Sequence, residues 1–209
     1  MKKTLLVVAI ATCFAVSAHA QGAVGSLSVK PMVGGTLTSV VGKDVEGAKM
    51  KVGFVAGAEM MYQMSPEFAI SVGALYSMQG CALDAQYDPK LKLDYLNIPV
   101  LANYYVLSGL AIKAGVQPGF LLNAKESASG NGVSADVSIK DLCHTVDVSI
   151  PVGISYEYKQ FVIDARYCFG LTKTEKASGT FQGKSIQNPN NNVRNSVFLL
   201  TLGYNIPIK

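Results

Sequence analysis

Past residue 20 the chain keeps a single histidine, His144, with Asp147 three positions later. A histidine beside a carboxylate can be the base of a nucleophilic or acid–base site, because the acid orients the imidazole that moves the proton. No serine-centred nucleophile motif accompanies this pair, so no catalytic residues are expected. One histidine also argues against a His-rich metal site, and neither metal nor cofactor is expected. Three cysteines remain past residue 20: Cys81, Cys143 and Cys168. The odd number leaves at least one thiol unpaired. A bridge between Cys81 and Cys143, both at strand ends or in loops, is the weaker reading. Cys168 reads as a small packed side chain.

The other residues with chemistry are charges spaced among apolar neighbours: Lys30, Glu59, Lys113, Asp147, Glu157, Asp164 and Arg166. Asp164 and Arg166 flank Ala165, with Ile163 and Tyr167 beyond. Side chains on a strand point alternately to its two faces. Such spacing puts the charges on one face and the apolar residues on the other. The charges therefore read as a structural polar network rather than as a reacting pair.

The elements that carry them show the same period of two. In 145–158 the even positions are Val146, Val148, Ile150, Val152, Ile154, Tyr156 and Tyr158, while the odd ones include Asp147, Ser149, Gly153, Ser155 and Glu157. The stretches 95–106 and 110–125 alternate over more than 12 residues. Soluble sheets use strands of about 5–6 residues, whereas a tilted strand crossing a bilayer needs roughly 9–11. Further alternating stretches are 27–38, 50–63, 68–79, 161–172 and 196–206. Gly34-Gly35 interrupts the first of these. The expected fold is all-β, an eight-stranded antiparallel up-and-down transmembrane β-barrel.

Composition agrees. The chain is 49% hydrophobic and 15% charged, with 20 glycines, 10 tyrosines and no tryptophan. Soluble domains carry about 25% charged residues. Lys2-Lys3, an apolar run over 5–16 and Ala18-His19-Ala20 form the three parts of a secretory signal peptide. The run is short of the roughly 20 residues of a spanning helix, and Thr12 before Cys13 argues against a lipoprotein. Cleavage is expected after Ala20, giving a leader over 1–20 and one domain over 21–209. Loss of Lys2 and Lys3 lowers the formal charge from +4 to +2, so no nucleic acid is expected as a partner.

The connections alternate in length. Residues 64–67, 107–109 and 159–160 make tight turns; 39–49, 80–91, 126–144 and 173–195 make longer loops. Outer-membrane barrels have short periplasmic turns and longer extracellular loops. Gly130-Asn131-Gly132 signals a hairpin, so strands five and six are expected to project past the membrane. The 188–192 stretch (NPNNN) reads as a mobile loop. Tyr62, Phe68, Tyr104, Tyr156, Tyr158, Phe161 and Tyr204 sort to one end of the apolar faces, and Phe54, Tyr76, Phe120, Phe169 and Phe198 to the other. These are two aromatic girdles. The expected setting is the outer membrane, in contact with its lipid and as a monomer.

An eight-stranded barrel is about filled by its own side chains. The charged face is therefore expected to plug the lumen, with a narrow channel for small solutes as the rival. The long loops would offer a surface to a protein partner or an extracellular ligand. An outer-membrane lipid hydrolase using His144 is the least favoured alternative.

YLNIPVLANYYV and LAIKAGVQPGFLL resemble the central segment of the PorT-like outer-membrane β-barrel family of Gram-negative bacteria. ISYEYKQFVIDARYCFGLTK is similar to that family's penultimate hairpin, and VFLLTLGYNI to its closing strand. The resemblance spans essentially all of 21–209. It implies an eight-stranded, loosely porin-like barrel and marks no active site. Some members of that family belong to a protein secretion system, which adds an accessory role there as a further alternative.

Overall fold

A computed structural model describes residues 23–41, 48–83, 90–130, 133–138, 144–172, 178–181, 184–187 and 194–208. Residues 1–20, Cys143 and 188–192 lie outside the described residues. So do the readings that rest on them: the leader, the Cys81–Cys143 bridge and the mobile Asn-rich loop.

Eight strands carry the fold: β1 (Leu27–Val41), β2 (Lys51–Ser65), β3 (Phe68–Leu83), β4 in two segments (Lys90–Asn97 and Val100–Leu107), β5 (Leu110–Gly130), β6 (Val146–Tyr158), β7 (Phe161–Gly170) and β8 (Arg194–Tyr204, continued by Ile206–Pro207). Each pairs antiparallel with its chain neighbour. β8 returns to β1, from Met32↔Gly203 to Val41↔Arg194, and closes the barrel. Closure leaves no open edge, so every spanning strand has hydrogen-bonding neighbours on both sides, as lipid demands.

The period of two decides which face each residue takes. Val152, Ile154, Ile163, Leu200 and Leu202 are exposed on the outer wall, while Ser155, Asp164, Arg166 and Thr201 are buried within. The outer aromatics form two bands by register. Phe161 pairs with Tyr158 and Tyr204 at the end with the tight turns. At the other end Leu96 pairs with both Tyr76 and Phe120, and Phe198 with Tyr167.

Four local features depart from the expected pattern. Gly34-Gly35 does not interrupt β1, which runs on to Val41. Gly34 instead lets β8 approach, since a Cβ there would lie 2.0 Å from the Leu200 carbonyl oxygen. Pro99, which has no N–H to give, divides β4. The strand nevertheless continues, because Gly73 N–H donates to Pro99 O at 2.9 Å and Ile98 N–H to Pro118 O at 2.8 Å. The expected 80–91 loop shrinks, since β3 reaches Leu83 and β4 begins at Lys90. The backbone ladder persists past the apolar band because cross-strand hydrogen bonds need no apolar side chain. Finally, a bulge at Leu122 shifts the register between Tyr95↔Leu121 and Asp94↔Asn123. One extra residue reverses the facing that follows, so Ala124 turns inward although strict alternation puts it outside.

At 21 residues β5 is about twice a spanning strand. It ends in a hairpin with Val133–Ser138, closing at Gly130↔Val133. This is the projection that Gly130-Asn131-Gly132 signals. Among the described connections the tight ones join β2–β3, β4–β5 and β6–β7, all at one end, called here the turn end. The long-strand end is the loop end.

Candidate functional site

The lumen is layered. Nearest the turn end, Ala69, Tyr105 and Ala111 are buried together with Met61 against them. Next comes a charged layer. Toward the loop end from it, Met32, Val55, Leu75, Cys168, Val197 and Leu199 form an apolar layer. At the loop end Leu93, Tyr95, Leu121 and Ala124 form another, with Leu93 and Ala124 brought face to face by the bulge.

The charged layer joins five of the seven residues singled out from the sequence. Lys30 Nζ lies 2.9 Å from Glu59 Oε2 and 3.6 Å from Asp164 Oδ2. Lys113 Nζ is 2.6 Å from Asp164 Oδ2 and 4.0 Å from Glu59 Oε2. Arg166 spans both acids. Its Nε and Nη2 donate to the two oxygens of Asp164 at 2.6 and 2.7 Å, and Nη1 pairs with Glu59 Oε1. All five side chains are under 10% exposed. Desolvating a charge costs several kcal/mol per ion unless partners and hydrogen bonds offset it. Here each acid meets three cations.

Room for these long side chains comes from glycines on neighbouring strands. Glu59 sits opposite Gly73, and Arg166 opposite Gly153. A Cβ on Gly73 would lie 2.7 Å from Glu59 Cγ, and one on Gly153 2.8 Å from Arg166 Cγ. Gly203 stands likewise 2.9 Å from Lys30 Cγ. Each charged stem lies flat across a missing side chain, which lets it reach the axis.

The other two residues stand apart. Glu157 is buried on the turn-end side, where Asn205 Nδ2 donates to its Oε1 at 3.0 Å. It lines, with Lys30, Glu59, Tyr105, Lys113 and Ser155, a cavity of about 20 Å³, room for about one water. Asp147 lies at the loop end, where it accepts from Thr172 Oγ1 and, at 3.3 Å, from Asn195 Nδ2. His144 is exposed outside β6, while Asp147 turns inward. Cys168 is a buried free thiol in the apolar layer.

Neutral residues carry much of the rest. Asn103 Nδ2 donates to Ser71 Oγ at 3.1 Å, and Asn97 Nδ2 and Gln79 Nε2 share Ser77 Oγ. Gln117 and Ser149 bond each other. Among the described residues, Tyr95 and Tyr105 are the aromatics buried in the bore. Their odd numbering, in phase with inward Asn97 and Asn103, is the signal in the sequence that places them inside. Among the described residues no His/Cys/Asp/Glu group is arranged to hold a metal ion.

A closed eight-stranded barrel with an apolar outer wall, two aromatic bands and a charged interior defines an integral outer-membrane protein. The chain belongs to the outer membrane protein beta-barrel domain family, whose model matches residues 16–176. Its place is therefore the bacterial outer membrane. The fold is shared with Ail, the attachment invasion locus protein of Yersinia pestis, at 14% identity and a TM-score of 0.51, covering 88% of this chain and 100% of that one. It is also shared with Neisserial surface protein A at 13% identity and a TM-score of 0.50, covering 85% of this chain and 96% of that one. No curated protein sequence matches the chain.

Proposed function

We propose that the protein is a non-catalytic, non-conducting anchor that holds a loop-end binding surface at the outer face of the outer membrane. The observation that carries this reading is the layered lumen. Buried side chains occupy both ends of the bore, and the charged layer between them leaves a cavity of about 20 Å³. A solute would have to break buried ion pairs, and parting them leaves desolvated charges at a cost of several kcal/mol per ion. β5, at 21 residues, carries the wall past the bilayer and supports a surface held clear of the headgroups. The bilayer-facing apolar side chains extend around all eight strands, which supports a monomer bathed in lipid.

Planar-bilayer recording of purified, heat-modifiable protein tests the closed lumen. The expected result is no steady conductance, and reproducible single-channel steps from wild-type protein would overturn it. We further propose a kinship with the PorT-like barrels, which the segments YLNIPVLANYYV and LAIKAGVQPGFLL support. That kinship carries a role beside a protein secretion system as the second reading. A deletion strain that exports its cargo normally would remove it.

A further inference from the structure

The charged layer is one negative charge short. Lys30, Lys113 and Arg166 are buried there with Glu59 and Asp164, three cations against two carboxylates. A charge taken out of water needs a compensating partner. A third acid lies on the turn-end side: Glu157 of β6, 7% exposed. Its backbone N–H donates to Gly109 O at 2.8 Å, which seats it against the β4–β5 turn. Among the described residues its carboxylate accepts from Asn205 Nδ2 at 3.0 Å and forms no ion pair. Yet the ammonium groups of Lys30 and Lys113 act on it electrostatically, and all three residues line the same cavity of about 20 Å³. The acid and the surplus cation are held near each other without touching.

The lining of the cavity says what joins them. Its size admits about one water. A bound anion would stand beside Glu157, and a metal cation beside two ammonium groups. Water both donates and accepts, so it suits a lining of both signs. Its partners are in place. Lys113 Nζ donates to Asp164 at 2.6 Å and stands 4.0 Å from Glu59, beyond hydrogen-bond reach, so an ammonium with three donors keeps some for another acceptor. Asn205 is 7% exposed, and its Oδ1 is buried with no protein donor among the described residues. A buried water makes about three hydrogen bonds, and Lys113, Glu157 and Asn205 supply them.

We infer that the cavity holds one structural water, which accepts from Lys113 and donates to Glu157 and to Asn205 Oδ1. Through it Glu157 is the third counter-charge of the layer. Three cations then face three carboxylates, and the bore needs no ion from either side of the membrane to be neutral. The inference rests on the closed lumen proposed above.

Crystals of the folded wild-type protein, soaked in sodium bromide and measured at a resolution that shows waters, test the occupant. The expected result is one water peak within about 2.7–3.2 Å of the Glu157 carboxylate, Asn205 Oδ1 and Lys113 Nζ, with no anomalous bromide signal. An empty cavity, bromide in it, or a direct Glu157–Lys113 contact would overturn the inference and leave the closed lumen standing. A row of waters running through the layer would overturn both. Urea unfolding in lipid vesicles tests the charge coupling. Glu157→Gln keeps the acceptor for Asn205 Nδ2 and removes the charge. It is expected to raise the unfolding equilibrium constant about tenfold in wild type and at most about threefold in a Lys113→Met background. An equal rise in both backgrounds would overturn the counter-charge role. Heat-modifiable migration verifies folding of each variant, and the wild-type crystal decides the case if Lys113→Met does not fold.

Discussion

Replacing Glu59 by Gln tests the lumen most directly. The change keeps the shape and removes one charge from a layer in which three cations face two carboxylates. Lys30 would lose its partner at 2.9 Å and keep Asp164 at 3.6 Å. The amide oxygen left at position 59 still accepts from Arg166 Nη1, and the Arg166 fork on Asp164 stays in place, but the charge that Arg166 and Lys30 shared is gone. Three buried cations would then share one acid. Removing one partner of a buried pair costs about 3–5 kcal/mol, because the charge left behind is desolvated and uncompensated. An exposed pair contributes only about 0.2–1 kcal/mol. Urea unfolding in lipid vesicles, followed by the heat-modifiable shift, measures the difference. Lys30→Met/Glu59→Gln removes one charge of each sign, and the two residues are expected to show a coupling of about 1–3 kcal/mol. A loss below about 1 kcal/mol for Glu59→Gln, with no coupling to Lys30, would refute the reasoning. The layer would then be behaving as solvated surface charge, and a conducting lumen would become the better reading.

Gly153→Ala should destabilise the barrel by about 1–3 kcal/mol, the range for overpacking. The new methyl would stand 2.3 Å from the Ala165 carbonyl oxygen and 2.8 Å from Arg166 Cγ, and the same urea titration reads the loss. Ile154→Arg puts a charge at mid-height on the lipid face, where it should cost roughly 2–4 kcal/mol in bilayers; inward Ser155 is the control position. Cys168 should resist a maleimide in folded protein and react fully after unfolding in urea, since it is 2% exposed. His144→Ala should leave the lipid profile of the cell unchanged, whereas an altered profile would reopen the hydrolase reading.

The period of two was enough to read the barrel from the chain. Backbone alternation is local, and burial against lipid leaves its mark on every second residue, as in Val146 to Tyr158. Tight turns and sorted aromatics are local too, so they could be read in order along the sequence. The inward facing of Lys30, Glu59, Lys113, Asp164 and Arg166 follows from the same rule.

Which charges meet was not legible. Glu59 and Arg166 lie on β2 and β7, far apart in sequence, and their contact depends on closure of β8 onto β1. Asp147 obeys the same alternation as Asp164 yet lies in another layer, because alternation fixes a face and says nothing about height after tilt and register. Bulges escape for a related reason: one extra residue at Leu122 changes the facing of Ala124 and Lys125 without altering composition. The sequence by itself determined the wall, because each residue's choice of lipid or lumen depends on its nearest neighbours. Only the tertiary structure decided the layers inside, because they depend on strand register set across the closed sheet.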